Sequence, residues 1–466
     1  MPRSRPFFRL PCFVLMAALA MTGPLMAQTA AETPPPDNAP AGTRLAYWFG
    51  QAARAFESDR VDDWVEATEQ LHELRPYNQD FMTHLVVGHA RQGDLSNAFN
   101  MMLHMQQQGL AEDWSRFDEL APLREHRLYD HLVGLMSEAG QPFGRFEEQG
   151  QLPEDLAMPE GIARDPASGR VFVGSVRDGR ILARVNGEEW SVFAAPEMVE
   201  GLASVFALAV DSERGHLWVA TGMAPQFEGF DPDAVSPSAL IKLDLASGER
   251  IGHYRVASDS KAQLLGSMVV ADDGTVYAAD TRQPVVFRLA PDAEVLQPFF
   301  GNRNLSSLRG LALSGDNKLL YMADYEQGIF VLTTDGSNQG WKLAVPETLN
   351  EGGIDGLYWW EGHLIAIQNG ISPQRVLRLE LGPDGLGVVA VAPVLAALEV
   401  FDTPTYGVME GSRLVMFSGS HWQHVDGSGQ PLGETLPTIS LLETDIDAAE
   451  VMVVGQEALE QLQGQR

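Results

Sequence analysis

Six side chains with chemical handles recur at one kind of place in this 466-residue chain. Arg177, Arg282, Tyr325, Asn369, His421 and Trp422 each follow the second strand of a repeated strand–turn–strand unit. Together they offer cations, an amide, a phenol, an imidazole and an indole. That mixture suits a small polar ligand, with a few polar groups fixing its orientation and aromatic surface covering it. A long segment between Thr221 and Leu240 carries Met223, Phe227 and Phe230, and long loops in compact folds often cover binding sites. Other chemistries lack their motifs. There is no G-x-S-x-G elbow, no H-E-x-x-H, no P-loop and no G-x-G-x-x-G. Asp231-Pro-Asp233 and Asp272-Asp273-Gly274 read as acidic turns, without the ligand spacing of a calcium loop.

The elements that must position these residues fall in two textures. From about residue 150 short apolar strands alternate with Gly, Asp and Pro turns. The unit recurs as GIARDPASGRVFVGS, ALAVDSERGHLWVAT, SMVVADDGTVYAAD, GLALSGDNKLLYMAD, GLYWWEGHLIAIQN and GVMEGSRLVMFSGS. Val171, Leu217, Val276, Leu320, Leu364 and Leu414 hold the same place in each, at intervals of 46, 59, 44, 44 and 50 residues. Such spacing predicts a mainly β fold, a six-bladed β-propeller over 150–445 with four strands per blade. Residues 43–140 read instead as an all-α module. Leu45, Trp48, Phe49, Ala52 and Phe56 share one helical face, and Pro76, Gly93 and Gly109 end successive helices. Met102 and Met105 belong with the packing of that module rather than with a cofactor.

The flanks carry different signals. Arg3, Arg5 and Arg9 precede an apolar run from Phe13 to Ala20, and Leu25-Met26-Ala27 fits a cleavage site. Residues 1–27 therefore read as a signal peptide, giving a periplasmic or secreted protein with no membrane span in the mature chain. Cleavage would remove three Arg and the only cysteine, Cys12, taking the formal charge from −31 to −34. Residues 28–42 are a Pro/Ala-rich linker, and 446–466 a C-terminal tail. With 63 acidic against 32 basic residues the chain repels phosphate backbones, so nucleic acid is excluded as a partner.

Two resemblances add to this reading. WVEATEQLHELRPYN followed by HLVVGHARQGDLSNAFNMML resembles about two tetratricopeptide repeats, with Trp64 where a small residue is usual. It implies a TPR-like module through which a protein partner would dock. The propeller units resemble the regucalcin/gluconolactonase group and the related NHL-repeat proteins, over about 300 of the 466 residues. PEGIA (159–163), LRGLALSGDNKLLYMAD (308–324) and IDGLYWW (354–360) carry that likeness.

The second resemblance implies a lactone- or ester-hydrolysing fold whose divalent cation is held by a Glu, two Asn and an Asp at the channel mouth. The Glu falls on Glu160 and the Asp on Asp355. One Asn position holds Arg309, and the other falls at Gly266 or Ser267. Both amide ligands are gone, and a guanidinium would neutralise the carboxylates by hydrogen bonding. No metal or other cofactor is expected; Ca²⁺ would enter only if the Glu160/Asp355 pair held it despite Arg309. Three functions stay open. One is a propeller binding a small polar ligand with the family metal site degraded. The second is a gluconolactonase-type hydrolase, with Glu160 or Asp355 as base and His421 as proton shuttle. The third is a non-catalytic protein-interaction scaffold.

Overall fold

The computed structural model describes residues 33–185, 188–232, 238–256, 263–337 and 339–448. The expected leader, residues 28–32 of the linker and residues 449–466 of the tail lie outside the described residues. Among the described residues no helix is long and apolar enough to cross a membrane.

Among the described residues six α-helices come first. They are α1 (Ala41–Glu57), α2 (Val61–Leu74), α3 (Gln79–Gln92), α4 (Leu95–Gln107), α5 (Ala121–Arg124) and α6 (Arg127–Ala139). Side-chain caps set two of the starts: Asn78 accepts from the Phe81 amide before α3, and Asp94 from the Asn97 amide before α4. Gly93 ends α3 in the left-handed region at φ 76°. The shared core includes Trp64, Leu71, Met82, Val86, Ala98, Met102 and Met105. Trp64 fits because Gly88 faces it: a Cβ there would meet Val65 at 2.6 Å and the indole at 3.5 Å.

The remaining chain is strand and turn. Strand β1 (Glu147–Gln151) precedes the meander β2 (Pro159–Arg164), β3 (Val171–Ser175), β4 (Ile181–Arg184) and β5 (Ser191–Ala194). Then come β6 (Ser204–Asp211), β7 (His216–Gly222), β8 (Ala239–Asp244) and β9 (Arg250–Val256). They are followed by β10 (Leu265–Val270), β11 (Val276–Asp280), β12 (Val285–Leu289) and β13 (Val295–Gly301). Next are β14 (Leu308–Leu313), β15 (Leu319–Asp324), β16 (Gly328–Thr333) and β17 (Gly340–Lys342). The last are β18 (Ile354–Trp360), β19 (His363–Gln368), β20 (Arg375–Leu381), β21 (Val388–Ala396), β22 (Gly407–Glu410), β23 (Arg413–Phe417) and β24 (Ser440–Asp445). The strands form four four-stranded sheets and one of eight strands. The eight-stranded sheet is two meanders, β6–β9 and β10–β13, joined by a short parallel pairing of β9 with β13.

The arrangement is propeller-like. Apolar clusters join each meander to the next, and a cluster with Ile162, Val173, Val415 and Leu441 joins the last to the first. The six recurring apolar residues are all buried within these layers. Strand β1 pairs antiparallel with β24 and completes the last sheet from the chain's other end. Its sequence, EEQGQ, is almost wholly exposed and has no apolar alternation. It therefore gives no strand signal, and the β region starts at Glu147 rather than at 150.

Candidate functional site

Glu160, Arg309 and Asp355 are each the second residue of a meander's first strand, and each is followed by a glycine. The pairing register slips at that point in β2, β14 and β18. Such bulges re-aim a side chain and are frequent beside binding sites. The glycines are needed because neighbouring first strands nearly touch: a Cβ on Gly310 would lie 2.4 Å from the Leu357 amide nitrogen. The same slip in β6 falls at Phe206, and in β10 at Gly266. Tyr406, just before β22, holds the corresponding place in the last sheet.

The cluster at these strand starts, where the resemblance sets the channel mouth, is thus partly charged and partly apolar. Arg309 Nε lies 3.4 Å from Asp355 Oδ1. Glu160 Oε2 accepts from the Trp422 indole at 2.8 Å. Asn369 Nδ2 donates to Asp355 Oδ2 at 2.5 Å and to the Pro404 carbonyl at 2.9 Å, while its Oδ1 accepts from Tyr325 at 2.9 Å. The Arg309 guanidinium sits 5.6 Å from the Tyr325 ring centre. Phe206 packs with Met158, Val176 and Leu264, and Trp422 lies against that group.

Burial dominates the electrostatics. It lifts the Glu160 carboxyl to about 8; Asp355 adds to the rise, while Trp422 and Arg309 oppose it. Glu160 is therefore largely protonated at neutral pH. Burial also raises Asp355, but Arg309 and the Asn369 amide hold it back. Burial disfavours the Arg309 cation, yet the neighbouring acids, Asp355 first, more than offset this and keep it charged. Tyr406 is pushed well above its usual range, chiefly by burial.

Three buried polar atoms here lack hydrogen-bond partners among the described residues: Arg309 Nε, Asp355 Oδ1 and Thr405 Oγ1. Thr405 is next to the cluster, since its carbonyl lies 3.0 Å from where a Gly356 Cβ would stand. Arg309 is the reachable member, its side chain 19 % exposed against 4 % for Asp355.

The donors do not fit the divalent cation that the resemblance implies. Among the described residues, the side-chain amide that bonds Asp355, that of Asn369, turns its nitrogen to the carboxylate and commits its oxygen to Tyr325. The Arg309 guanidinium stands beside Asp355, and Glu160 is bonded to Trp422. The remaining position is closed as well. A Cβ on Gly266 would meet Thr281 at 2.1 Å, and Ser267 Oγ donates to the Arg309 carbonyl. Among the described residues no cluster of three His, Cys, Asp or Glu side chains could hold a metal.

Three expected site residues do other work. His421 accepts from the Met158 amide through Nδ1 at 2.9 Å and donates through Nε2 to the Pro437 carbonyl at 2.8 Å. Both ring nitrogens are committed to backbone, and burial lowers its basicity, so the proton-shuttle role is withdrawn. Arg177 donates to the carbonyls of Gln226 and Ser428 and lies 3.5 Å from Glu228, tying two loops together. No ion pair or hydrogen bond joins the Arg282 side chain to the cluster among the described residues; its backbone amide donates to Asp280. Sequence reasoning missed Phe206, Thr405 and Tyr406. The Tyr-Gly pair at 406–407, set like Glu-Gly, Arg-Gly and Asp-Gly at the other strand starts, was the available signal for Tyr406.

No family model matches this chain, and no curated protein matches it. Among solved structures it is similar to regucalcin, a calcium-binding protein from Agrobacterium tumefaciens, at 19% identity and a TM-score of 0.45, covering 64% of this chain and 95% of that one. It is similar to a gluconolactonase from Xanthomonas campestris at 16% identity and a TM-score of 0.43, covering 65% and 99%. It is also similar to virginiamycin B lyase from Staphylococcus aureus at 13% identity and a TM-score of 0.41, covering 64% and 99%. Likenesses this distant say nothing of activity, so the functional reading rests on the residues of the channel mouth.

Proposed function

We propose that this is an exported protein whose propeller binds a small, neutral, polar ligand at the channel mouth without a metal. The eight-stranded sheet is read as two blades, giving six in all, and the helices as a TPR-like module fused to them. One observation carries the binding reading: Arg309 Nε and Asp355 Oδ1, ion-paired with each other at 3.4 Å, have no hydrogen-bond partner in a buried place, and neither has Thr405 Oγ1 just before β22. Buried polar groups normally find partners, and exceptions call for a ligand or a special role. A ligand oxygen would accept from Arg309, and a ligand hydroxyl would donate to Asp355. Phe206 and Trp422 supply apolar cover. The ligand is neutral because the site balances itself: Arg309 offsets Asp355, and Glu160 holds its proton. A calorimetric panel of glucose, glucono-1,5-lactone and gluconate tests this reading. The neutral pair should bind and the anion should bind at least about tenfold more weakly. Equal binding of all three, or none, would defeat it.

A second reading, lactone or ester hydrolysis, is favoured by one fact. Glu160 and Asp355 sit near one another in different environments: burial raises both, but Arg309 acts first on Asp355, with the Asn369 amide beside it, to favour its ionised form, a difference that suits an acid and a base. Under this reading Glu160 protonates the leaving oxygen, and Asp355 takes a proton from the attacking water. Base consumption in a pH-stat with glucono-1,5-lactone, above the spontaneous rate and lost in Glu160→Gln, would support it. A rate at background would leave binding alone.

A further inference from the structure

The helical module and the propeller enclose a cleft of ≈ 1250 Å³. Pockets for a single small ligand run up to about 1,000 Å³, so a ligand that fills this one is larger than a single sugar. Its propeller side includes Tyr325 and Asn369, and its helical side Asp80, Glu112 and Arg116. Tyr325 and Asn369 also belong to the charged cluster, since Asn369 donates to Asp355 and Tyr325 to Asn369. Asp355, 3% exposed and with Oδ1 ion-paired to Arg309 but not hydrogen-bonded, therefore stands one side chain behind the cleft. The cleft and the channel mouth are two parts of one site.

The charge of the helical wall is uneven. Glu326 is bound by Arg75, and Arg124 is spent on the carbonyls of Trp114 and Phe117. Glu112 is held by Thr83 at 3.1 Å, by the Asp113 amide at 2.9 Å and by Arg116 at 2.9 Å. Asp113 accepts from Ser115. Asp80 lines the recess without a hydrogen bond or an ion pair among the described residues; burial raises its carboxyl, and Arg116, shared with Glu112, partly offsets that. Asp80, Glu112 and Asp113 against the one Arg116 leave this stretch of wall with excess negative charge. In a recess bounded by protein such charge attracts cations more strongly than on an open surface.

We propose that this cleft seats the cationic arm of an elongated polyhydroxylated ligand, an amine-bearing oligosaccharide. Its amine lies against Asp80 and Glu112, and its neutral end reaches Asn369 and Tyr325. The proposal rests on the reading of the channel mouth as a ligand site. Three trisaccharides of equal length test it by calorimetry on the intact protein: one of glucosamine, one of glucose and one of galacturonate. The glucosamine trimer should bind about tenfold tighter than the glucose trimer, and the galacturonate trimer weakest. Raising the salt should shrink the preference. Asp80→Asn, which keeps the side chain's shape and breaks no hydrogen bond or ion pair among the described residues, should bring the glucosamine trimer to the level of the glucose trimer. Glu213→Gln lies in the turn after β6, at the opposite end from the strand starts, and should change nothing. An unaltered preference in Asp80→Asn, or galacturonate binding as well as glucosamine, would overturn the proposal. Arg309→Met separates the two readings. If it weakens all three trimers while Asp80→Asn removes only the charge preference, both stand. If Arg309→Met matters and Asp80→Asn does not, the mouth remains and this proposal falls. If Asp80→Asn matters and Arg309→Met does not, the cleft is a site and the reading of the mouth falls.

Discussion

Polar groups are buried in two regions of this protein, and the two treat them differently. Where the helical module docks, they are extensively paired. Glu351, fully buried, accepts from Tyr77 Oη at 2.7 Å, Lys342 Nζ at 2.7 Å and the Ile329 amide at 2.9 Å. Asn350 donates to the Tyr77 carbonyl and to Gln108, and accepts from the Gly352 amide. Gln368 donates to the carbonyls of Asn350 and Gly352 and accepts from Arg375 Nε at 2.8 Å. Arg375 has no acid in contact, and burial pulls it down to about 10. Its charge is still well placed, because Nη1 donates to the Gln108 carbonyl at the C-terminal end of α4, where a helix favours a cation. At the propeller cluster, by contrast, Arg309 Nε and Asp355 Oδ1 have only their ion pair with each other, and neither they nor Thr405 Oγ1 are hydrogen-bonded among the described residues. Extensive pairing fits a structural role. Groups with unused hydrogen-bonding capacity, held in place by bulged strands, fit a site kept ready for a ligand, at some cost in stability. The comparison also revises the docking role expected of the helices, since part of that surface is spent on the protein's own propeller.

The largest effect should come from breaking the paired region. Glu351→Ala strands a buried amide, the Tyr77 hydroxyl and Lys342 at once, and should cost about 3–5 kcal/mol in denaturant unfolding. A loss under about 1 kcal/mol would mean that the pairing is incidental to stability, and the contrast would collapse.

The mouth should behave in the opposite way. The folded-state Glu160 carboxyl titrates near 8, against a reference value of 4.5. Between those values the unfolded chain has lost this proton and the folded chain keeps it, so the group makes stability fall as pH rises. The slope is about 1.4 kcal/mol per pH unit at most, levelling off above pH 8. Glu160→Gln removes that dependence. Its stability relative to the native protein should improve steadily from pH 5 to pH 8, read from paired urea titrations. A constant difference across that range would show that Glu160 titrates normally.

Much of the fold was legible because its signals are local. Val171, Leu217, Val276, Leu320, Leu364 and Leu414 mark the same buried strand position, and tight turns follow at a regular distance. Glu160, Arg309 and Asp355 could be aligned because each precedes a glycine at a strand start, where neighbouring backbones leave no room for a Cβ. What could not be read depends on partners far along the chain. Strand β1 has no apolar pattern and exists through its pairing with β24. The Asn350–Gln108–Arg375 network joins segments more than two hundred residues apart. His421 looked catalytic by residue type, and only its two backbone partners show a positioning role.

The smallest expected effect concerns the cation. With no oxygen cage at the mouth, millimolar Ca²⁺ should move the native melting temperature by less than about 1 °C. Arg309→Asn removes the competing charge and adds an amide oxygen, so its response to Ca²⁺ should exceed that of the native protein. A large, stoichiometric response from the native chain would place a metal where the guanidinium now lies.

The most direct test of the central claim is calorimetric titration of glucono-1,5-lactone into the native protein and into Arg309→Met, side by side on freshly dissolved lactone. If the groups at the mouth that lack hydrogen bonds are a ligand site, Arg309→Met should weaken binding at least about tenfold, since it removes the partly exposed guanidinium donor. Equal affinity in the two proteins, with both folded, would contradict the claim and leave Arg309 as a plug across the channel.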